Sequence, residues 1–538
     1  MEQYRQSLVW KTGEEMDLDL LDETRQLLYG GKLLQDNERS FGFGRFTELS
    51  VLLFDNYLVV TEAKVKNKVT SYHVCRRPIP LELLVLRFDG SPMKRYNRTV
   101  FPCELHNIMR DGENDLLFAE SDEARAHWKA KLEEAISLRK LIFAKHEVFS
   151  LTTLSKDHFA YVPQASSTTD TSDQTTFVGK IQCTIPLKAA GRDLVAVGGY
   201  EGVWFGFHDQ PSLWQRVLHL KNVTQCAFLE RFGIFLVLGD KSLLAYHIEA
   251  LVPMIPPSDL DTPAPKPQQL SKDHDVEFFS VGKIGGRTLV IYMRKKGVDS
   301  IFRALEVDPE TFPDTDAAQV PLPESSQWFR VYKDFFMVSI AHNVIFLKTK
   351  IVILSNKGME VMDLDEFKSV CIPDSDDKAL APIVKRLKSR KPLGMSRVAQ
   401  EEFLLCYDEF GIYVNQHGNS TSRQLGVIRW ECVANRVAFH SSYVILFSPR
   451  SIEIRRVTDG RLVQILQGTD IVCTWDGKGH VPRSEFSAPT TSSEKSAAGS
   501  GNQDTSLDDV PVRIQGVMRA DGSNPGTTSQ HLFEFVPI

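Results

Sequence analysis

From about residue 175 to the C-terminus, apolar β-forming residues recur as paired runs joined by short turns rich in Gly, Asp, Asn or Ser. LVAVGGYEGVWFGF begins at Leu194, FLVLGDKSLLAYHI at Phe235, TLVIYMRKKGVDSIFRAL at Thr288, and IVILSNKGMEVMDL at Ile351. FLLCYDEFGIYVN begins at Phe403 and YVILFSPRSIEIRRV at Tyr443, and a weaker pair joins VRIQGVMRADG to HLFEFVPI. These runs are nearly continuously apolar instead of alternating, so both faces of every hairpin need cover. Radial stacking supplies it: each hairpin becomes the middle of a four-stranded blade packed on the next. Seven such units at blade spacing predict a seven-bladed β-propeller. An eight-stranded sandwich, the lesser alternative, would not need seven repeats.

The first 150 residues are patterned differently. β-type runs appear in RQLLYGGKLLQ, FTELSVLLFDNYLVVTEA, VTSYHVC, LELLVLRF and DLLFAE. Phe54-Asp55-Asn56-Tyr57 reads as a hairpin turn, since Asp and Asn tolerate turn dihedrals. The pattern then becomes helical. Ser121 is a candidate N-cap with Asp122 and Glu123 in the first turn, and Ala124, Trp128, Leu132, Ala135, Ile136 and Ile142 share one face. The fold class is therefore mainly β: a small barrel closed by a C-terminal helix over residues 23–146, then the propeller over 178–538. Residues 1–22 and 147–177 read as linkers.

Composition narrows the chemistry. The chain has 538 residues, 42% hydrophobic and 25% charged, with a formal net charge of −6. No global positive excess calls for nucleic acid. No apolar run has the length of a membrane-spanning helix, and the N-terminus lacks the basic-then-apolar order of a secretory signal. The eight cysteines form no CxxC pair and read as buried reduced thiols. GxxxxGK[ST], HExxH and GxSxG are absent, and no cofactor or metal is expected. Cys406 beside Asp408 and Glu409 suggests a nucleophile with an acid and a base. The equivalent turns GYEG, GDKS and SNKG share no such set, so the stretch reads as a hairpin turn and no catalytic residue is assigned.

Two basic clusters are candidates for binding. Lys32, Arg39 and Arg45 lie near the first loop of the barrel, with Lys64, Lys66 and Lys68 near the next, as possible contacts for anionic lipid. Lys385, Arg386, Lys388, Arg390 and Lys391 form a run after the acidic PDSDD, as possible partner contacts. Ser- and Thr-rich stretches at 161–177 and 484–509, and a Pro-rich one at 256–270, read as flexible excursions.

The strand-and-helix order of the first part, with Trp128 in its helix, resembles a pleckstrin homology domain. VTQCAFLERFGIFLVLGDKSLLAYHIEAL, IVILSNKGMEVMDL and EEFLLCYDEFGIYVNQHG resemble a citron homology domain. With CRRPIPLELLVL (75–86) in the preceding barrel, the chain resembles the C-terminal half of a fungal Rho guanine-nucleotide exchange factor of the Rom/Tus type. The resemblance implies that residues 1–22 follow a Dbl homology exchange domain missing here, so no exchange activity is expected of this chain alone. It implies a targeting and scaffolding role in cell-wall integrity signalling, in the cytoplasm and peripherally at the plasma membrane where growth is polarised. The implied partners are a Rho-family GTPase, other proteins of that signalling system and a phosphoinositide membrane surface. A phosphoinositide-sensing adaptor is the alternative, and a propeller hydrolase or lyase a remote one. GFGRF lacks the basic-x-Arg spacing of lipid-binding members.

Overall fold

The computed structural model describes residues 1–538 except 12–14, 38–44, 111–113, 162–176, 209, 254–264, 313–326, 388, 424–425, 479, 482–511 and 521–526. Most of the Ser/Thr-rich stretches at 161–177 and 484–509, and much of the Pro-rich one at 256–270, lie outside the described residues.

In the barrel, Leu27–Asn37, Arg45–Phe54, Tyr57–Lys66 and Val69–Val74 form an antiparallel meander. Leu84–Arg87, Arg98–Asn107 and Asn114–Ala119 continue the sheet, which closes where Phe118 pairs with Leu34. The Asp55-Asn56 turn is where the sequence places it, and its side chains are used. Asp55 accepts from the Gln26 amide, and the Asn56 side chain donates to the Leu18 carbonyl at 2.8 Å. The helix Asp122–Lys145 starts at Ser121, whose hydroxyl accepts the Ala124 amide at 3.1 Å. Its apolar face sinks Trp128, Leu132 and Ala135 into the barrel core.

Residues 1–22 dock on this barrel, in contrast to the expected linker. Leu8–Val9 pairs in parallel with Tyr72 and His73, and Leu8, Leu18 and Leu20 are buried against Leu52, Phe54 and Val59. Met1, Tyr4, Trp10 and Met16 pack against the same face, so the segment is held by the apolar surface it removes from water.

The propeller has seven blades. Blades 1 to 6 run from the strands Ile181–Ala189, Val223–Leu229, Val276–Ile284, Ala341–Phe346, Pro392–Ala399 and Arg436–His440, each the first of four antiparallel strands, and His480–Val481 adds in parallel beside Val223–Leu229. Each of the seven hairpins read from the sequence is the middle pair of a blade. Blade 7 closes the ring. It combines Val472–Trp475, Gln515–Arg519 and Thr528–Pro537 with Phe149–Tyr161, which lies on the N-terminal side of blade 1. The span 147–177, expected as a linker, thus contains a blade's outer strand, with Phe149 and Phe159 buried in the cores.

Polar side chains fasten neighbouring inner strands. Thr184 and Thr474 share a hydrogen bond of 2.8 Å between blades 1 and 7. Gln225 of blade 2 accepts from the Phe279 amide of blade 3 at 2.9 Å, and His342 of blade 4 donates to the Pro392 carbonyl of blade 5 at 2.8 Å. These bonds satisfy buried polar groups and fix each blade's rotation against the next.

Candidate functional site: the seam between barrel and propeller

A cluster of buried charge lies where the barrel meets blades 5 and 6. Glu431 sits in the connection from Val427–Arg429 to Arg436–His440, and only 1% of its side chain is exposed. Arg77, from the barrel loop before Ile79–Pro80, donates to one carboxylate oxygen at 2.9 Å. Asn107, which ends the strand Arg98–Asn107, and Arg110 just beyond it donate to the other at 3.1 and 2.5 Å. Arg455, from the blade 6 strand Ser451–Arg456, stands 3.9 Å away and pairs with Glu453. Glu453 in turn accepts the amides of Glu431 and Cys432 at 2.8 and 3.2 Å.

Burial alone would push the Glu431 carboxyl upward. The Arg77, Arg110 and Arg455 guanidiniums outweigh it and hold the group below its ordinary range. Glu431 is therefore an anion with nearly all its lone pairs engaged. Arg77 also donates to the Trp430 carbonyl at 2.9 Å, and Met109 packs against the cluster containing Leu404, Tyr413 and Trp430. The seam thus has an apolar plug beside a polar clamp.

A cleft of about 850 Å³ runs along the seam, lined by Tyr57, Glu82 and Arg139 of the barrel and Tyr443, Arg455 and Arg461 of the propeller. Its charges close on one another: Arg139 with Glu82 at 2.6 Å, Arg25 with Asp55, and Arg461 with Asp19 and Asp22. The first two pairs brace the barrel wall, and the Arg461 pair crosses from the propeller to the segment docked on the barrel. Among the described residues no group of His, Cys, Asp and Glu is arranged to hold a metal.

The residues singled out from the sequence are placed unevenly. Lys32 lies mid-strand, opposite Ser50, and is paired with Glu48 at 2.7 Å. Arg45 opens its strand at the barrel end where the exposed Lys64, Lys66 and Lys68 flank the Asn67-Lys68 turn, and Lys64 reaches Glu62 at 3.5 Å. Arg39 lies outside the described residues. Lys32 therefore does not join the hairpin-end lysines. Lys385 and Arg386 end a short helix, Ala381–Leu387. Arg386 lies over the Phe410 ring at 5.6 Å and Arg390 pairs with Glu409, so both arginines serve the blade 5 turn; Lys385 and Lys391 are exposed. Lys388 lies outside the described residues.

Cys406 is fully buried in the blade 5 strand Glu402–Tyr407, and burial pushes its thiol far up. Glu409 is paired with Arg390, and the Asp408 backbone bridges the Lys391 carbonyl and the Ala434 amide. A protonated thiol sealed in a core is no nucleophile.

Sequence reasoning missed the seam. Its signal was present in retrospect: Glu431 stands between Trp430 and Cys432, and Glu453 and Arg455 alternate with isoleucines in SIEIRR. A charge inside an otherwise buried run has to find a partner, here one in the other domain.

Comparison with known proteins decides the family. The CNH domain model matches residues 191–477, and a pleckstrin homology model matches residues 27–97. The chain belongs to the CNH domain family. Its CNH propeller shares its fold with the solved AfRom2 CNH domain, at a TM-score of 0.52 and 21% identity, covering 72% of this chain and 99% of that one. Among curated relatives, Rho1 guanine nucleotide exchange factor 1 of Schizosaccharomyces pombe is 27% identical over 510 residues, 88% of this chain and 35% of that protein. RHO1 GDP-GTP exchange protein 2 of Saccharomyces cerevisiae is 23% identical over 479 residues, 86% of this chain and 34% of its own. The chain spans about a third of the length of these two relatives.

Proposed function

We propose that this chain is a non-catalytic targeting and scaffolding part of a Rho guanine-nucleotide exchange factor acting in fungal cell-wall integrity signalling. In this reading the CNH propeller docks a Rho-family GTPase or other signalling partners, while the pleckstrin homology barrel supports a neighbouring exchange domain. The observation that carries it is similarity to Rho1 exchange factors along nearly nine-tenths of the chain. The seam adds a physical reason: a barrel clamped to the propeller through Glu431 keeps a docked GTPase at a fixed place, and so at raised local concentration for an attached catalytic domain. The test is capture of purified Rho GTPase, loaded with GDP or with a non-hydrolysable GTP analogue, on the immobilised chain. Capture in both states without faster nucleotide release is expected. Failure to capture either state, or acceleration of release by this chain alone, would overturn it.

A second reading, attraction to an anionic membrane at the cell periphery, is favoured by one hairpin. Lys64, Lys66 and Lys68 are exposed together with Val65 and Val69, at 73% and 68%. Each lysine adds about 1 kcal/mol of attraction to an acidic surface. Co-sedimentation with phosphatidylserine or phosphoinositide vesicles, lost on charge reversal of the three lysines, is the expected result. Undiminished binding would remove the hairpin from the reading.

A further inference from the structure

The innermost strands of the seven blades, which border the propeller's lumen, are lopsided in charge. Lys188, Lys283, Arg397 and Arg436 lie on them against a single acid, Glu277, and Lys241 takes that acid at 2.8 Å. Lys188 reaches Asp193 at 3.8 Å, and Arg397 donates to the Ala399 and Gln400 carbonyls. Arg436 opens the innermost strand of blade 6, yet 51% of its side chain is exposed; that accessible surface belongs to the lumen.

A second cation reaches the same place. Beyond the innermost strand of blade 7 the chain enters the lumen, because His480–Val481 pairs with the inner edge of blade 2's innermost strand. Asp476 and Lys478 lie on this crossing. The Asp476 carboxylate accepts the Lys478 amide at 3.1 Å and stands 3.7 Å from Arg436. The Lys478 ammonium lies 5.6 Å from the centroid of the Phe439 ring, which belongs to the innermost strand of blade 6. An ammonium rooted after blade 7 reaches that ring through the lumen. Among the described residues it makes no ion pair or side-chain hydrogen bond. Two cations thus share one carboxylate. Burial works against both charges: Asp476 chiefly outweighs it at Arg436, whereas at Lys478 burial prevails and holds the ammonium below its ordinary range. His342, on blade 4's innermost strand, registers the same field, since burial first, then Lys391 and Arg436, hold its imidazole below its ordinary range. Positive charge left without a counter-ion in such an enclosure attracts an anion.

We propose that the propeller lumen binds a small oxyanion of the phosphate class between Arg436 and Lys478, with Asp476 holding the two cations in place. The planar guanidinium presents two N–H donors to two oxygens, and the ammonium adds a compact charge with donors of its own. Arg436, Lys478 and Asp476 together keep one net positive charge, which the bound anion offsets. The site is distinct from the barrel hairpin that carries Lys64, Lys66 and Lys68, and it does not depend on the GTPase reading.

The test is isothermal titration of the whole chain with inorganic phosphate and with pyrophosphate in chloride buffer. Binding at a single site is expected, tighter for pyrophosphate, and weakened at least about tenfold in Arg436→Gln and in Lys478→Gln. Lys478→Arg, which keeps the charge, should bind more tightly than Lys478→Gln. Phosphate should also raise the urea midpoint of the parent and leave that of Lys478→Gln unmoved, since only a folded chain that binds the anion is stabilised by it. Lys478 has no partner to lose, so without phosphate Lys478→Gln should unfold no earlier than the parent; should Arg436→Gln fail to fold, Lys478→Gln decides alone. No heat and no midpoint shift with either anion, undiminished affinity in Lys478→Gln, or its earlier unfolding without phosphate would each overturn the proposal. So would binding lost on charge reversal of Lys64, Lys66 and Lys68, which would give the anion to the barrel hairpin.

Discussion

Replacing Glu431 by Gln keeps the shape of the seam and removes the charge that three arginines address. Arg77 and Arg110 each make a charge-assisted hydrogen bond to it, worth about 1.5–3 kcal/mol in a buried setting. Their side chains retain 24% and 11% exposure, so water partly compensates each one when its partner is lost, Arg77 more than Arg110. Arg455 keeps Glu453 and loses least. The expected coupling is therefore about 2 kcal/mol between Glu431 and Arg110 and about 1 kcal/mol between Glu431 and Arg77. Urea unfolding of Glu431→Gln, Arg110→Met, Arg77→Met and the two double variants gives these terms directly, because each cycle cancels the effect of a substitution on its own domain. Coupling below about 0.5 kcal/mol in both cycles, with all variants folded, would mean that the barrel and propeller are not clamped in solution. The barrel would then hold no fixed place relative to a partner docked on the propeller.

Acid, truncation and thiol chemistry probe the same structure. Because the folded Glu431 carboxyl is held below its ordinary value of 4.5, its contribution is complete above that pH and is lost as pH falls from there through the folded value; urea midpoints between pH 6 and 3.5 should decline more steeply for the parent than for Glu431→Gln. A chain beginning at Phe177 lacks blade 7's outer strand and should unfold at distinctly lower urea than one beginning at Glu147, since buried Phe149 and Phe159 are lost at about 3 kcal/mol or more each; equal midpoints would refute closure through 149–161. Iodoacetamide on the native protein should label the exposed Cys371 before any other thiol and leave Cys406, Cys432 and Cys473 unmodified by mass spectrometry, since these three are buried; rapid labelling of Cys406 would reopen the catalytic reading.

The middle hairpins were legible because both of their faces are buried, which leaves an uninterrupted apolar run such as IFLVLG or YVILF. The outer strands are half-solvated and leave no comparable mark. FSLTTLSKDHFAY reads as a polar connector, and its partner, Thr528–Pro537, lies more than 350 residues away in sequence. Nothing local announces such a pairing. The basic clusters show the reverse failure. Lys32 and Arg390 look like surface charge in the sequence, yet Glu48 and Glu409 meet them within the same domain. Net charge along the chain says nothing about which acid the fold will bring alongside.

The seam also explains why a joint between two domains should be built from charge at all. An apolar contact of similar size would give comparable attraction with little directional preference, so the barrel could slide on the propeller. A carboxylate fixed from behind by Glu453, which binds the Glu431 amide, and addressed from the front by Arg77, Asn107 and Arg110 is satisfied in one geometry only. Any shift of an ångström or two strands a buried anion, and that cost is several kcal/mol. Replacing Glu431, Arg77 and Arg110 together by Leu, Met and Met should therefore cost little stability while loosening the angle between the domains, readable as a broader distance distribution between spin labels on Lys129 and Lys350. An unchanged distribution would show that Met109 and the apolar plug fix the geometry, and that the charges do not.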